Sequence, residues 1–177
     1  MKFIGREEYL RKIEKQINTD EFSFSLIYGR RRIGKSELVK QILRTSGVKS
    51  IYYECKQVAE KSNVEGLGSL VSEIYELPRL GFSDIESLLD YLFKLAEKEK
   101  LILVLDEYPY LRGSVRGFDS IVQSLVDKYR DSSKLKLIIL GSYVEIMKSL
   151  IAEPNPLYGR VDLIIDLKQM DYYESSL

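Results

Sequence analysis

The stretch Ile27 to Lys40, IYGRRRIGKSELVK, constrains this chain more than any other part of it. It contains Gly29-x-x-x-x-Gly34-Lys35-Ser36, the spacing of a loop that wraps a phosphate. That pattern works only between a strand and a helix, and both are legible. Phe22 to Tyr28 (FSFSLIY) is a β-rich run that stops at Gly29, and Lys35 to Arg44 carries Leu38, Val39, Ile42 and Leu43 as one apolar helical stripe. Glycine admits backbone angles closed to other residues, so main-chain N–H groups can close around phosphate oxygens. The helix that follows adds its free N–H groups and the positive end of its dipole. The nucleotide-binding candidates are therefore Gly29, Arg30, Arg31, Arg32, Ile33, Gly34, Lys35, Ser36 and Glu37. Lys35 can reach the β- and γ-phosphates, and Ser36 can place a hydroxyl on Mg²⁺. Of the three arginines, Arg30 and Arg31 read as mostly solvated, and Arg32 is left open.

Around this loop, short apolar runs alternate with amphipathic ones. Helices are expected over Arg6 to Asn18, Asn63 to Glu76, from Ile85 to Ala96, Phe118 to Tyr129 and Val144 to Ala152. Strands are expected over Ser50 to Glu54, Leu101 to Leu105, Leu135 to Leu140 and Val161 to Leu167. Ser83-Asp84-Ile85-Glu86 has capping-box spacing. Leu101 to Leu105 shows no polar alternation, as a strand buried on both faces should. The order predicts an α/β fold: a mainly parallel sheet of about five strands between helical layers. The chain reads as one domain over residues 1–177. Asp171 to Leu177 (DYYESSL) looks like the opening of another helix, so a further C-terminal region is expected.

The apolar strand Leu101 to Leu105 ends in Asp106-Glu107, at the edge where open α/β sheets bind ligands. Asp106 is placed to hold Mg²⁺ through its water shell. Glu107 can orient a water toward the γ-phosphate or accept its proton. Ser142, after the Leu135 to Leu140 strand, could bond that water or the phosphate. Arg160, in the turn Pro156-Leu157-Tyr158-Gly159-Arg160, could reach a phosphate of its own or a neighbouring molecule. Lys35, Glu107 and Arg160 are the candidate catalytic residues, Ser36 and Asp106 the candidate metal ligands.

Composition removes several chemistries. There is no histidine and a single cysteine, Cys55, so a disulfide framework, a Cys/His zinc site and a Ser-His-Asp triad are excluded. Lysine plus arginine equals aspartate plus glutamate, 27 each, which gives no global field for nucleic acid or anionic membrane. No run approaches the roughly 18 apolar residues of a membrane span, and the start carries charges where a secretory signal needs apolar residues. The expected location is the cytoplasm.

Taken in order, FIGREEYL, IYGRRRIGKSEL, LILVLDEYPYL, LKLIILGS and PLYGR resemble the archaeal-type ATPase family, among the signal-transduction ATPases of the AAA+-like P-loop NTPases. The resemblance implies an ATP-binding α/β/α domain with an extra strand between the loop strand and the Asp106 strand. It implies that Asp106 and Glu107 form the Mg²⁺ and water-activating pair, Ser142 the sensor position and Arg160 a phosphate-sensing arginine. It also places Gly5-Arg6-Glu7 near the base, with Arg6 as a binding residue. Two departures stand out: Gly141-Ser142-Tyr143 occupies a strand end where many relatives carry arginine, and relatives continue into a helical, winged-helix-like region. The expected ligands are ATP or ADP with Mg²⁺, and the expected function is ATP hydrolysis. A protein partner or homo-oligomer is possible, and two alternatives stay open: a nucleotide-dependent switch with negligible turnover alone, and a small-molecule kinase.

Overall fold

The computed structural model describes residues 6–168. Five parallel strands form one sheet: β1 Ser23–Tyr28, β2 Ser50–Glu54, β3 Leu101–Asp106, β4 Leu135–Gly141 and β5 Leu163–Asp166. Their order is β2-β3-β4-β1-β5. β4 therefore stands between the loop strand and the Asp106 strand, as the family resemblance implies.

Seven helices flank the sheet among the described residues: α1 Glu7–Ile17, α2 Lys35–Ser46, α3 Glu60–Ile74, α4 Ile85–Lys98, α5 Tyr108–Ser114, α6 Phe118–Tyr129 and α7 Val144–Leu150. The two-residue period of the strands sorts the core into two clusters. Ile102, Val104, Ile138 and Leu140 join Ile13, Leu38 and Ile42 of α1 and α2 on one face. Leu101, Leu103, Leu105, Leu137 and Ile139 meet α3 to α7 on the other. The result is three layers, α/β/α.

Several boundaries moved. The α3 helix tolerates Gly66 and Gly68 and begins earlier than expected, at Glu60. The cap of α4 is Asp84, not Ser83: its carboxylate accepts from Ser87 N at 2.8 Å. Shifting the cap by one residue places Ile85 at the first helical position, where it is buried. The α5 helix was not anticipated; its signal is Pro109 inside the first turn, where a missing N–H costs nothing. Asp171 to Leu177 and Gly5 lie outside the described residues. None of the described helices is long and apolar enough to cross a membrane.

One buried charge sits at the strand-start edge of the sheet. Lys136 of β4 is 1% exposed, and its Nζ donates to Thr19 Oγ1 at 2.6 Å and to the carbonyl of Glu21. Burial lowers its pKa from 10.5 to about 8; Lys100 adds to the lowering, and Asp20, Glu21 and Asp162 oppose it. An unfolded lysine keeps its proton to higher pH, so between the two values the unfolded chain binds more protons and stability rises with pH. The gain is at most about 3 kcal/mol. It is opposed above pH 9 by the buried Cys55 thiol, which burial pushes far up, and above pH 10 by the phenols of Tyr53 and Tyr75, pushed up to about 12. Urea unfolding at pH 7.5 and 9.5 should show the rise, and Lys136→Met should remove most of it, leaving the part that the lowered Lys35 contributes.

Candidate active site

The loop joins β1 to α2 across the strand-end edge of the sheet. Its path requires two unusual residues. Gly34 caps α2 at φ 99°, and Arg32 lies at φ 62°, a left-handed conformation that a non-glycine residue rarely adopts. Gly29 is needed for another reason: a Cβ there would lie 2.4 Å from the carbonyl oxygen of Leu167. Backbone cannot swing aside as a side chain can. Gly29→Ala is therefore expected to lose about 1–3 kcal/mol of stability, read as a lower urea midpoint.

Three side chains fix the loop from within and below. Arg6, 4% exposed at the start of α1, donates Nη2 to the carbonyl of Ile33 at 2.8 Å. Lys35 is 5% exposed, and its Nζ donates to the carbonyl of Arg30 at 2.9 Å. Burial pulls the Lys35 pKa down; Glu107 and Asp106 push it up, and Arg31 adds to the lowering. Ser36 Oγ donates to Asp106 Oδ2 at 2.7 Å. The three arginines differ. Arg30 and Arg32 are exposed and line the cavity described below. Arg31, though exposed, is tethered: Nη2 donates to Tyr110 Oη at 3.0 Å and to Tyr143 Oη at 3.2 Å.

Beside the loop lies the carboxylate pair. Asp106 ends β3 and is 5% exposed. Its Oδ2 also accepts from the hydroxyl of Tyr52 in β2. Desolvation, with the Asp106 hydrogen bond second, raises the Tyr52 phenol far above its ordinary value, so the proton of this bond stays on tyrosine. Glu107 turns out of the strand at φ 55° and caps α5. Ser142 Oγ donates to Glu107 Oε1 at 2.8 Å, while Glu107 Oε2 is buried without a protein partner. A cavity of about 580 Å³ opens on the other side of the loop, bounded by Gly29 to Ile33, by Val144 and Lys148 of α7, and by Asp166 to Lys168.

The fold thus gathers Arg6, the loop, Ser36, Asp106, Glu107 and Ser142 at one edge. Arg160 is not among them, which corrects the expectation that it serves its own site. The segment before β5 pairs with the start of β1: Asp162 N donates to the Phe24 carbonyl at 2.7 Å. The loop begins at the far end of β1, roughly 20 Å away by strand rise. There Arg160 forms a two-point ion pair with Asp127 of α6, Nε to Oδ1 3.0 Å and Nη2 to Oδ2 3.1 Å. Sequence reading also missed Tyr52, Tyr110 and Tyr143. Only Tyr110 and Tyr143 carried a signal, because each follows a motif residue closely.

The donor set suits a magnesium ion. A hydroxyl and a carboxylate, both hard oxygen donors within 2.7 Å of each other, are the sparse protein contribution that Mg²⁺ takes when phosphates and water complete its shell. Glu37 is exposed on the first turn of α2.

Several known proteins are similar to this chain in sequence or in fold. An uncharacterized protein of Methanocaldococcus jannaschii, MJECL04, is 30% identical over 171 residues, covering 96% of this chain and 36% of its own length. Among solved structures, the Walker-type ATPase PABY2304 of Pyrococcus abyssi superposes with a TM-score of 0.71 at 23% identity, covering 98% of this chain and 56% of its own. The Aeropyrum pernix ORC2 protein, solved as ADPNP-ADP complexes, gives a TM-score of 0.65 at 18% identity, covering 91% and 46%. The chain spans between 36% and 56% of the length of these proteins. A family model described as an ATPase domain predominantly from Archaea matches residues 3–176. With the glycine-lysine loop, the acidic strand end and the 2-3-4-1-5 strand order in place, the chain belongs to this family of archaeal ATPase domains.

Proposed function

We propose that this domain binds ATP with Mg²⁺ and hydrolyses it. The observation that carries the reading is Glu107: one oxygen is fixed by Ser142, and the other is buried and unpaired beside the loop. A buried carboxylate oxygen without a donor is costly, and a water in line with the γ-phosphate would satisfy it. Loop N–H groups and the Lys35 ammonium hold the β- and γ-phosphates, and Ser36 and Asp106 hold the metal. Mg²⁺ would supply positive charge to the phosphate oxygens as charge builds on them. Glu107 orients the attacking water and accepts its proton, and Ser142 keeps that carboxylate in place. The rate then comes chiefly from positioning and fixed charge. The cavity beside the loop is large enough for the nucleoside.

The test is release of inorganic phosphate from ATP. Turnover with Mg²⁺ that stops in EDTA supports hydrolysis. Tight ATP binding without release in a single-turnover experiment supports the second reading, a nucleotide-driven switch. One feature favours that second reading: Lys35 is bonded to the loop's own Arg30 carbonyl, a contact the phosphates would replace. Arg160, at the opposite edge, meets a phosphate only if a second copy presents one, and its Asp127 pair must then open. A homo-oligomer or protein partner, a cytoplasmic location, a signal-transduction role and a C-terminal helical or winged-helix-like region belong to the same proposal.

A further inference from the structure

The carboxylate that would hold the metal has a donor that neither sequence motif contains. Tyr52 lies in β2 on the sheet face covered by α2, the face that also carries Val104 and Ile102. β2 and β3 run parallel with Tyr52 opposite Val104 and Glu54 opposite Asp106. From there the Tyr52 hydroxyl reaches Asp106 Oδ2, the oxygen that also takes the Ser36 hydroxyl. Lys40 Nζ stands over the Tyr52 ring, 4.9 Å from its centroid. Ser36 and Lys40 are four residues apart on α2 and so share one side of that helix. The α2 helix thus meets the Tyr52–Asp106 pair at two points.

We infer that Tyr52 is a positioning residue for Asp106, setting how tightly the nucleotide-bound metal is held. The inference rests on the ATPase reading above. Ser36 has two uses for one hydroxyl: as a metal ligand it would offer a lone pair to the ion, while its O–H can still donate to Asp106. Tyr52 would not be a metal ligand, so its hold on Oδ2 does not depend on how Ser36 turns. A carboxylate held at one oxygen keeps its orientation while the other serves the metal's water shell. Such outer donors change metal affinity by about ten- to a hundredfold when removed. Lys40 adds a cation on the ring face, which draws density from the ring and strengthens the hydroxyl as a donor.

Mn²⁺ can stand in for Mg²⁺, because free Mn²⁺ is counted directly by electron paramagnetic resonance. The titration uses the protein with a non-hydrolysable ATP analogue. Tyr52→Phe is expected to bind Mn²⁺ about tenfold more weakly, with unchanged affinity for the analogue in EDTA. Lys40→Met is expected to shift Mn²⁺ binding the same way by less. A Phe variant with wild-type Mn²⁺ affinity overturns the inference. So does an equal loss of analogue affinity in EDTA, because general damage to the loop then explains both. If Tyr52→Phe melts early, Lys40→Met decides alone, and an unchanged Mn²⁺ affinity overturns the inference. A wild-type protein that binds the analogue and Mn²⁺ while only the Tyr52 effect is missing leaves the ATPase reading standing. No analogue-dependent Mn²⁺ binding by the wild type sinks both.

Discussion

Glu107→Gln is expected to lower ATP turnover by about a hundredfold or more, with ATP affinity within about threefold of wild type. The side chains have nearly the same shape, and the glutamine oxygen can still accept from Ser142. What changes is the second position. Glu107 Oε2 is buried and has no protein partner, so it can take a proton from a water. An amide nitrogen there can only donate. The left-handed backbone at residue 107 is retained, so the variant should melt with the wild type. Phosphate release under saturating ATP, with affinity measured separately, distinguishes the outcomes. Wild-type turnover would remove Glu107 from the chemistry; loss of binding would show that it holds the nucleotide instead.

Lys35→Ala is expected to weaken ATP binding by about a hundredfold, roughly 3 kcal/mol, the scale of one or two charge-assisted hydrogen bonds. Lys35 is nearly buried on the first turn of α2, and burial already disfavours its charge. A triphosphate supplies the counter-charge that the Arg30 carbonyl provides only in part. Because its pKa is lowered, the ammonium is lost at a lower pH than an ordinary lysine's, and binding needs the charged form. Affinity should therefore fall as pH rises into the alkaline range in the wild type, and the alanine variant should lack that component. Calorimetry across a pH series measures both effects. An alanine variant that binds ATP like the wild type would rule out the loop as the phosphate site.

Lys35 stood out in the sequence because the phosphate-loop pattern is local: glycines at fixed spacing, a strand before and a helix after. Glu107 was read from its place: an acidic pair at the end of a parallel strand lies at the edge where such a loop sits. The five strands and most helices were equally local, since apolar period and buried runs follow from which face each residue turns to the core. The α5 helix escaped because it is two turns long and follows directly on the acidic pair, where a loop is the natural reading. The α4 cap moved by one residue because serine and aspartate compete for the same position.

By itself the sequence determined the fold class, the glycine-lysine turn between a strand and a helix and the identity of the charged residues near it, because each is read from a pattern within about a dozen residues. The tertiary structure alone decided which distant residues meet. The register of β2 on β3 brings Tyr52 to Asp106. The ends of β3 and β4 bring Ser142 to Glu107, and two tyrosines from separate helix starts catch Arg31. The same parallel pairing carried Arg160 to the opposite edge, because a residue preceding a strand is delivered to that strand's start. Strand order and register are set by the packing of the whole sheet, and no local pattern encodes them.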